Sequence, residues 1–169
     1  MEERIQHAAL QLFNERGYGA ASMGQIAKRA GVGVGTIYRR WPDKPSLANE
    51  VHAHVRARIE SYSTGPIRGR SRKAKFVKLV SSFIEFAKAE PQMLLFLVGQ
   101  PHEAYLDANN QRQQREKDAT VLELIAELRL TASPEIASAM TMGTLAQCVR
   151  MGVDFDAEDL VERLWLALS

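Results

Sequence analysis

Residues 22–44, SMGQIAKRAGVGVGTIYRRWPDK, predict two short helices joined by a glycine turn. Ser22 and Gln25 have the spacing of a capping box, in which each side chain bonds the backbone of the other residue. Gly31 stands where the end of a helix favours a left-handed backbone. The first helix therefore ends at the glycine, and a second helix begins almost at once.

The second helix is predicted over about residues 34–41. Ile37 and Trp41 are four residues apart, so both side chains lie on one face of the helix and anchor it inward. Asp43 follows as a cap for the next helix, which begins near Lys44. Two helices joined by a tight glycine turn form a helix-turn-helix, whose second helix fits the major groove of DNA.

A resemblance to a known family extends this interpretation. The run IAKRAGVGVGTIYRRWPDKPSL (residues 26–47), preceded by LFNERGYGAAS (residues 12–22), resembles the DNA-binding domain of the TetR family of transcriptional repressors. The resemblance covers about the first 55 residues. It implies an all-α protein with an amino-terminal three-helix domain over 1–48 and a helical ligand-binding and dimerisation domain over 49–169. The signature positions are Phe13, Gly17, Tyr18, Ser22, Ile26, Ala27, Gly31, Val32, Thr36, Tyr38 and Lys44.

Phosphate contacts are predicted from side-chain chemistry. The hydroxyls of Thr36 and Tyr38 can bond phosphate oxygens, Lys44 offers a cation at the start of a helix, and Ser22 adds a hydroxyl. Tyr38 has the alternative role of packing.

Base contacts are harder to predict. The resemblance assigns base reading to the residues before Thr36, which here are Val34 and Gly35, and neither side chain forms hydrogen bonds. Specificity is therefore expected from a thymine-methyl contact of Val34, from Tyr38 or Arg40, and from DNA shape, while Arg39 points to another side.

Composition supports a DNA-binding amino-terminal part. Residues 1–58 carry nine Lys and Arg against five Asp and Glu, whereas the remaining residues carry thirteen against fifteen. One cysteine, Cys148, excludes an internal disulfide and suits a reducing compartment. No apolar run reaches the roughly 20 residues that span a bilayer, and no signal peptide is recognised, so we expect a cytoplasmic protein without membrane contact.

The rest of the chain is predicted to be helical. A helix over about 46–62 leads to a basic linker over 63–75, followed by a helix built around Phe76. Residues 93–98, MLLFLV, predict a short buried helix, or a strand. A long helix is expected over about 103–130, with its polar centre in solvent. Two further helices begin at 133 and 156 with capping residues.

The resemblance also implies two further partners. TetR-family proteins dimerise through their last two helices, and they bind a small-molecule effector within the helical bundle. Here the last two helices carry small and apolar residues in keeping with self-association, although they equally suit closure of a monomer's core. Candidate effector-pocket residues, each of which also fits an ordinary core, are Phe83, Met93, Phe96, Tyr105, Met140 and Trp165.

Other functions have weaker support. The glycines at 31, 33 and 35 match no phosphate-loop spacing, and His52 and His54 diverge by about 200° on a helix, so neither a nucleotide nor a metal site is predicted. No cofactor and no catalytic residue is predicted. The leading hypothesis is a ligand-responsive repressor that binds a palindromic operator as a dimer. The alternatives are a helical interaction or ligand-sequestering protein that keeps the helix-turn-helix as a scaffold, and a small helical enzyme.

Overall fold

The computed structural model describes residues 1–62 and 71–169, and these residues form helices joined by short turns, with no strand among them. A single 3-10 turn, His102–Ala104, stands between the sixth and seventh helices. The α-helices are α1 Glu2–Ala20, α2 Met23–Ala30, α3 Val34–Arg40, α4 Lys44–Tyr62, α5 Arg72–Ala89, α6 Pro91–Gly99, α7 Ala108–Ala126, α8 Pro134–Met151 and α9 Ala157–Leu168.

The predicted helix-turn-helix is confirmed in its details. The Ser22 hydroxyl accepts a hydrogen bond from the Gln25 amide at 3.3 Å, and the Gln25 side chain accepts one from the Ser22 amide at 3.0 Å. Gly31 ends α2 with φ of 65°, the left-handed conformation that glycine adopts without strain. These caps position α3 against α2.

Helix α1 is broken at Gly17, which has φ of 77° and ψ of 154°. That combination is almost confined to glycine because a Cβ atom clashes there. One further turn follows the break and carries the buried ring of Tyr18. Since the kink redirects the chain, the end of α1 lies beside α6 of the carboxy-terminal part.

Helix α4 connects the two parts of the molecule. Its residues Leu47, Val51, Val55 and Ile59 are buried, as their spacing predicts, and Asp43 caps its first turn by accepting from the Ser46 amide at 2.8 Å. The domain boundary predicted between 48 and 49 falls inside this continuous helix. The division into two domains therefore stays a prediction.

The linker predicted over 63–75 extends too far at its carboxy-terminal end. Residues 63–70 lie outside the described part of the chain, but α5 already begins at Arg72. The reason is a cap: the Ser71 hydroxyl accepts a hydrogen bond from the Ala74 amide at 3.1 Å. The short helix predicted over 93–98 is confirmed, although Leu94 and Phe96 alone are fully buried in it and Val98 is exposed.

The long helix expected over 103–130 is wrong in extent. The chain leaves helical geometry at Tyr105 and Leu106, whose side chains are buried in the core, and α7 begins only after Asp107 caps it. The prediction that its polar centre lies in solvent is also wrong for one face. Asn110 donates to the Asn49 side chain at 2.8 Å, and Lys117 pairs with Glu60, so polar contacts join this half-buried face to α4.

The last two helices begin as predicted. The Ser133 hydroxyl accepts from the Ile136 amide at 3.4 Å, and the Asp156 carboxylate accepts from the Asp159 amide at 2.8 Å. On α8, one face lies against α5, α6 and α7. The opposite face leaves Ile136 and Met140 exposed in the single chain.

Candidate DNA-binding surface and ligand cleft

Helix α3 is held against the domain by its two predicted anchors. The side chains of Ile37 and Trp41 are buried, and the Trp41 indole N–H donates to Glu50 Oε2 on α4 at 2.9 Å. Because one face is anchored, the opposite face is displayed to solvent. Its exposed side chains are those that a major groove would meet.

The displayed face carries most of the predicted DNA-binding residues. Val34 is 44% exposed and Tyr38 is 49% exposed, Gly35 and Arg39 are also exposed, and Thr36 is half-buried. Large side chains this exposed on a short helix contribute little to the core. The surface offers one aliphatic side chain, hydroxyl groups and a cation.

The two arginines of α3 have different surroundings. The Arg40 guanidinium pairs with Glu2 at 3.3 Å and with Glu50 at 3.1 Å, and it lies 5.4 Å from the centre of the Trp41 ring. These contacts hold Arg40 toward α1 and α4. Arg39 has no ion pair among the described residues, so the cation available at the displayed face is Arg39 rather than Arg40.

Lys44 lies in a well-defined structural position. Its ammonium donates to the carbonyl oxygens of Tyr18 at 2.8 Å, Gly19 at 3.2 Å and Ala21 at 2.9 Å, and it lies 4.4 Å from the centre of the Tyr18 ring. An ammonium group has three N–H donors, and here each has an acceptor. Lys44 therefore joins the end of α1 to the start of α4. Ser22, the remaining predicted contact, is exposed at the start of α2.

A cleft of about 450 Å³ opens in the carboxy-terminal part, between α4, α5, α6, α7 and α8. Its walls are largely apolar, and its volume lies within the usual range of small-molecule sites. Six charged or polar side chains also line it, namely Arg56, His102, Gln114, Asp118, Glu135 and Ser138. The arrangement is that of a pocket with an apolar body and a polar region.

Of the six predicted effector-pocket residues, Phe83 is the one that lines this cleft. Phe96 and Tyr105 are buried in the aromatic core, Met93 lines a separate surface hollow, and Met140 is exposed on the outer face of α8. Trp165 packs edge-to-face on Phe76, with ring centres 5.3 Å apart.

Sequence reasoning missed the polar lining of the cleft. Arg56 and Gln114 lie on hydrophilic faces that resemble ordinary solvated surfaces. The available signal was that Arg56 follows His52 by one helical turn, so the two side chains lie on one face of α4. In the structure His52 is buried. His54 is exposed elsewhere on that helix, which leaves the two histidines without a common site.

An aromatic cluster connects the cleft with the helix-turn-helix. His102 Nδ1 lies 2.5 Å from the Tyr105 hydroxyl, and the Tyr105 ring centre lies 4.8 Å from that of Tyr18, which contacts Lys44. Burial raises the pKa of Tyr105, so its hydroxyl stays protonated. Burial also lowers the pKa of the neighbouring His52 to about 4, helped by the charges of His102 and Arg56.

Comparison with known proteins agrees with this geometry. Residues 5–51, which include all of α2 and α3, match the sequence profile of the bacterial regulatory proteins of the tetR family. This part of the chain is similar to the amino-terminal domain of tetR-family regulators. An HTH-type transcriptional regulator of Staphylococcus aureus (strain USA300) is 47% identical over 45 residues, which is 27% of this chain and 24% of that protein. The matched region thus spans about a quarter of the length of this curated relative.

Solved structures extend the likeness to the whole tetR-family fold. A TetR-like transcriptional regulator from Rhodococcus sp. RHA1 has a TM-score of 0.73 at 20% identity, covering 98% of this chain and 93% of that one. NalD of Pseudomonas aeruginosa, the secondary repressor of the MexAB-OprM multidrug efflux pump, has a TM-score of 0.64 at 25% identity, covering 99% and 95%. The carboxy-terminal helices thus follow the same arrangement as the corresponding helices of these proteins.

In residues 1–62 and 71–169, no helix combines the length and apolarity needed to span a membrane. Nor do three or more metal-binding side chains gather at one place in that part of the chain.

Proposed function

We propose that the protein is a transcriptional repressor that binds a pseudo-palindromic operator as a homodimer and releases it when a small molecule binds. The observation that carries this proposal is the displayed face of α3, since a tetR-family helix anchored by Ile37 and Trp41 exposes Val34, Tyr38 and Arg39. The similar structure of NalD, described as a repressor, supports repression rather than activation. The protein would act in the cytoplasm, with no catalytic activity.

We propose that base reading uses few hydrogen bonds. Val34 would contact a thymine methyl group, Arg39 would reach a guanine edge or a phosphate, and the hydroxyls of Thr36 and Tyr38 would bind phosphate. Gly35 has no side chain and allows close approach of the backbone. Because direct contacts are scarce, sequence-dependent DNA shape would supply part of the specificity.

The homodimer would form through α8 and α9. Exposed residues recur along one side of α8 at intervals of three or four positions, so they form a single stripe, and Leu166 of α9 is 70% exposed. Gly143 within the stripe allows a second helix to approach closely. The stripe consists of Ile136, Met140, Gly143, Gln147 and Met151.

The cleft would hold the effector and influence the DNA-binding domain through two contacts. Gln100, at the end of α6, bonds the broken end of α1, and His102, in the cleft wall, contacts Tyr105. The effector would release the operator if it bound more tightly to the arrangement of the dimer whose two α3 helices cannot reach both half-sites. A coupling free energy of about 1–3 kcal/mol is typical of such linkage.

Selection from a random duplex library tests the proposal. The full chain is mixed with fluorescent duplexes at several salt concentrations, and the bound sequences are determined, with Tyr38→Phe as a companion variant. An enriched palindrome with steep salt dependence is expected, together with weaker binding by the variant. Weak binding of all duplexes alike would contradict the proposal and favour a helical interaction or ligand-sequestering protein.

A further inference from the structure

We propose that the cleft binds an amphipathic acid, with an anionic oxygen group at Arg56 and Gln114 and an apolar body along the far wall. The inference deepens the proposed function by naming the effector's chemical class. Its regulatory meaning rests on that function, whereas the binding chemistry rests on the cleft alone. Three polar side chains without adequate partners carry the argument.

Arg56 is a buried cation with incomplete pairing. Its side chain is 16% exposed, its nearest carboxylate is that of Asp118 at 3.9 Å, and its buried Nε atom has no hydrogen-bond partner. Removing a guanidinium from water is costly unless anions or acceptors replace the lost water. The same burial lowers the pKa of Arg56, although so basic a group remains charged. The site therefore has a positive charge in need of an anion.

Two further unpartnered polar atoms lie in the same region. Gln114 Oε1 and His52 Nε2 are both buried without a hydrogen-bond partner of good geometry, and His52 is 3% exposed. The two side chains are near each other, since Gln114 opposes the lowering of the His52 pKa. Gln114 and Arg56 line the cleft and also a smaller cavity of about 90 Å³ behind it, which His52 lines as well. Buried polar groups in folded proteins almost always have partners, so three such atoms around one wall indicate a place for polar ligand atoms.

The carboxylates of the cleft have more hydrogen-bond donors near them than Arg56 has acceptors. Both oxygens of Asp118 accept from Gln114 Nε2 at 2.8 Å, which also fixes the orientation of the amide and directs its oxygen inward. Hydrogen bonds from its own backbone and from Ser133 lower the pKa of Glu135 at the start of α8. Because these anions already have donors and Arg56 lacks acceptors, the cleft favours an anionic ligand over a cationic one.

The remaining wall fits a hydrocarbon body. Phe83, Leu97, Val121, Leu122 and Met142 line the cleft from four helices. The 450 Å³ volume lies within the usual range of small-molecule sites. A straight-chain acid of about ten carbons is therefore a suitable probe.

The test measures direct binding of four probes to the full chain without DNA. Decanoate, decyl phosphate, decanol and decylamine each contain ten carbons, and calorimetry below their micelle concentrations gives the four affinities. We expect decanoate or decyl phosphate to bind at least about tenfold more tightly than decanol, because charge-assisted hydrogen bonds are strong in a desolvated site. Which of these two acids binds more tightly shows whether the cleft prefers a carboxylate or a phosphate.

Variants then assign the anion preference to Arg56. Arg56→Gln should reduce the preference of acid over decanol to about twofold or less, while Arg115→Gln, at an exposed position on α7, should preserve it. Retained decanol binding shows that the Arg56→Gln variant is folded. If that variant unfolds, Arg56→Lys, which keeps the charge but loses the Nε donor, should give an intermediate preference.

Three results would overturn the inference: equal binding of decanoate, decyl phosphate and decanol, tighter binding of decylamine, or an acid preference that survives Arg56→Gln. The proposed function fails separately. An acid preference without operator recognition would overturn the proposed repressor function but support the proposed ligand class. Operator recognition without an acid preference would support the repressor function and overturn the ligand class.

Discussion

The side chain of Gln100 replaces backbone hydrogen bonds that α1 loses at its kink at Gly17. Its Nε2 donates to the Phe13 carbonyl at 2.9 Å, and its Oε1 accepts from the Tyr18 amide at 3.0 Å. Both backbone groups would otherwise lose their helical partners at the break. A side chain from the carboxy-terminal part thus completes the backbone hydrogen bonding of α1 and connects it directly to the end of α6.

We expect Gln100→Ala to lower the free energy of unfolding by about 1–3 kcal/mol, since two backbone groups lose their partners. Denaturant unfolding of the full chain measures the change. Gln113→Ala, at an exposed position on α7, is the matched control and should leave stability nearly unchanged. Equal stability of Gln100→Ala and the wild type would show that solvent replaces the two hydrogen bonds.

Lys44→Met should destabilise the amino-terminal domain by about 1–3 kcal/mol, because three carbonyl oxygens lose a shared donor. Salt-dependent operator binding separates this effect from a phosphate contact. If Lys44 also contacts phosphate, the slope of log affinity against log salt falls by about one for each protomer. An unchanged slope would assign Lys44 to the fold alone, and Lys78→Met, at an exposed position on α5, controls for the lost charge.

The two arginines of α3 should differ in their effect on DNA binding. Arg39→Ala should weaken operator binding by about tenfold or more, as expected for loss of a base or phosphate contact. Arg40→Ala should change it much less, since Glu2 and Glu50 hold that guanidinium. Titration of the selected operator with each variant measures both effects. The opposite order would mean that Arg40 leaves its acidic partners when DNA binds.

Stability should fall as the pH drops from 6.5 toward 4. The pKa of His52 is about 4 in the folded protein and about 6.5 in the unfolded chain, so in that window the unfolded chain takes up a proton that the folded protein does not. The loss is at most about 3.5 kcal/mol, at about 1.4 kcal/mol for each pKa unit.

Denaturant unfolding between pH 5 and 6.5 tests the origin of this slope. His52→Gln removes the titrating ring, so its stability should vary less with pH than that of the wild type. His54→Gln, exposed on the same helix, should keep the wild-type slope. The charged or titratable groups that affect His52 are Arg56, His102 and Lys117, and an unchanged slope in His52→Gln would assign the pH dependence to other groups.

The sequence predicted local structure well where both partners are close in the chain. The capping box at Ser22, the turn at Gly31 and the caps at Asp43, Ser133 and Asp156 depend on residues within three positions. Their chemistry is therefore visible in a short window.

Features that depend on distant partners were not predictable in this way. Tyr105 ends a helical run because its ring enters a core formed by other elements, and the polar face of α7 is covered because α4 offers matching polar groups. Likewise, the acids that hold Arg40 lie 38 residues before it and 10 after it along the chain. Hydrophobic periodicity carries no information about such pairings.

The most direct test of the account compares the affinity of the wild type for the selected palindrome with its affinity for a single half-site. Gly143→Arg is the companion variant: a Cβ at Gly143 meets nothing within 4 Å in the single chain, so the arginine would obstruct only an α8 interface between copies. We predict that the wild type binds the palindrome at least about a hundredfold more tightly, and that the variant loses most of this advantage. Equal affinity of the wild type for both duplexes would contradict a dimeric operator reader.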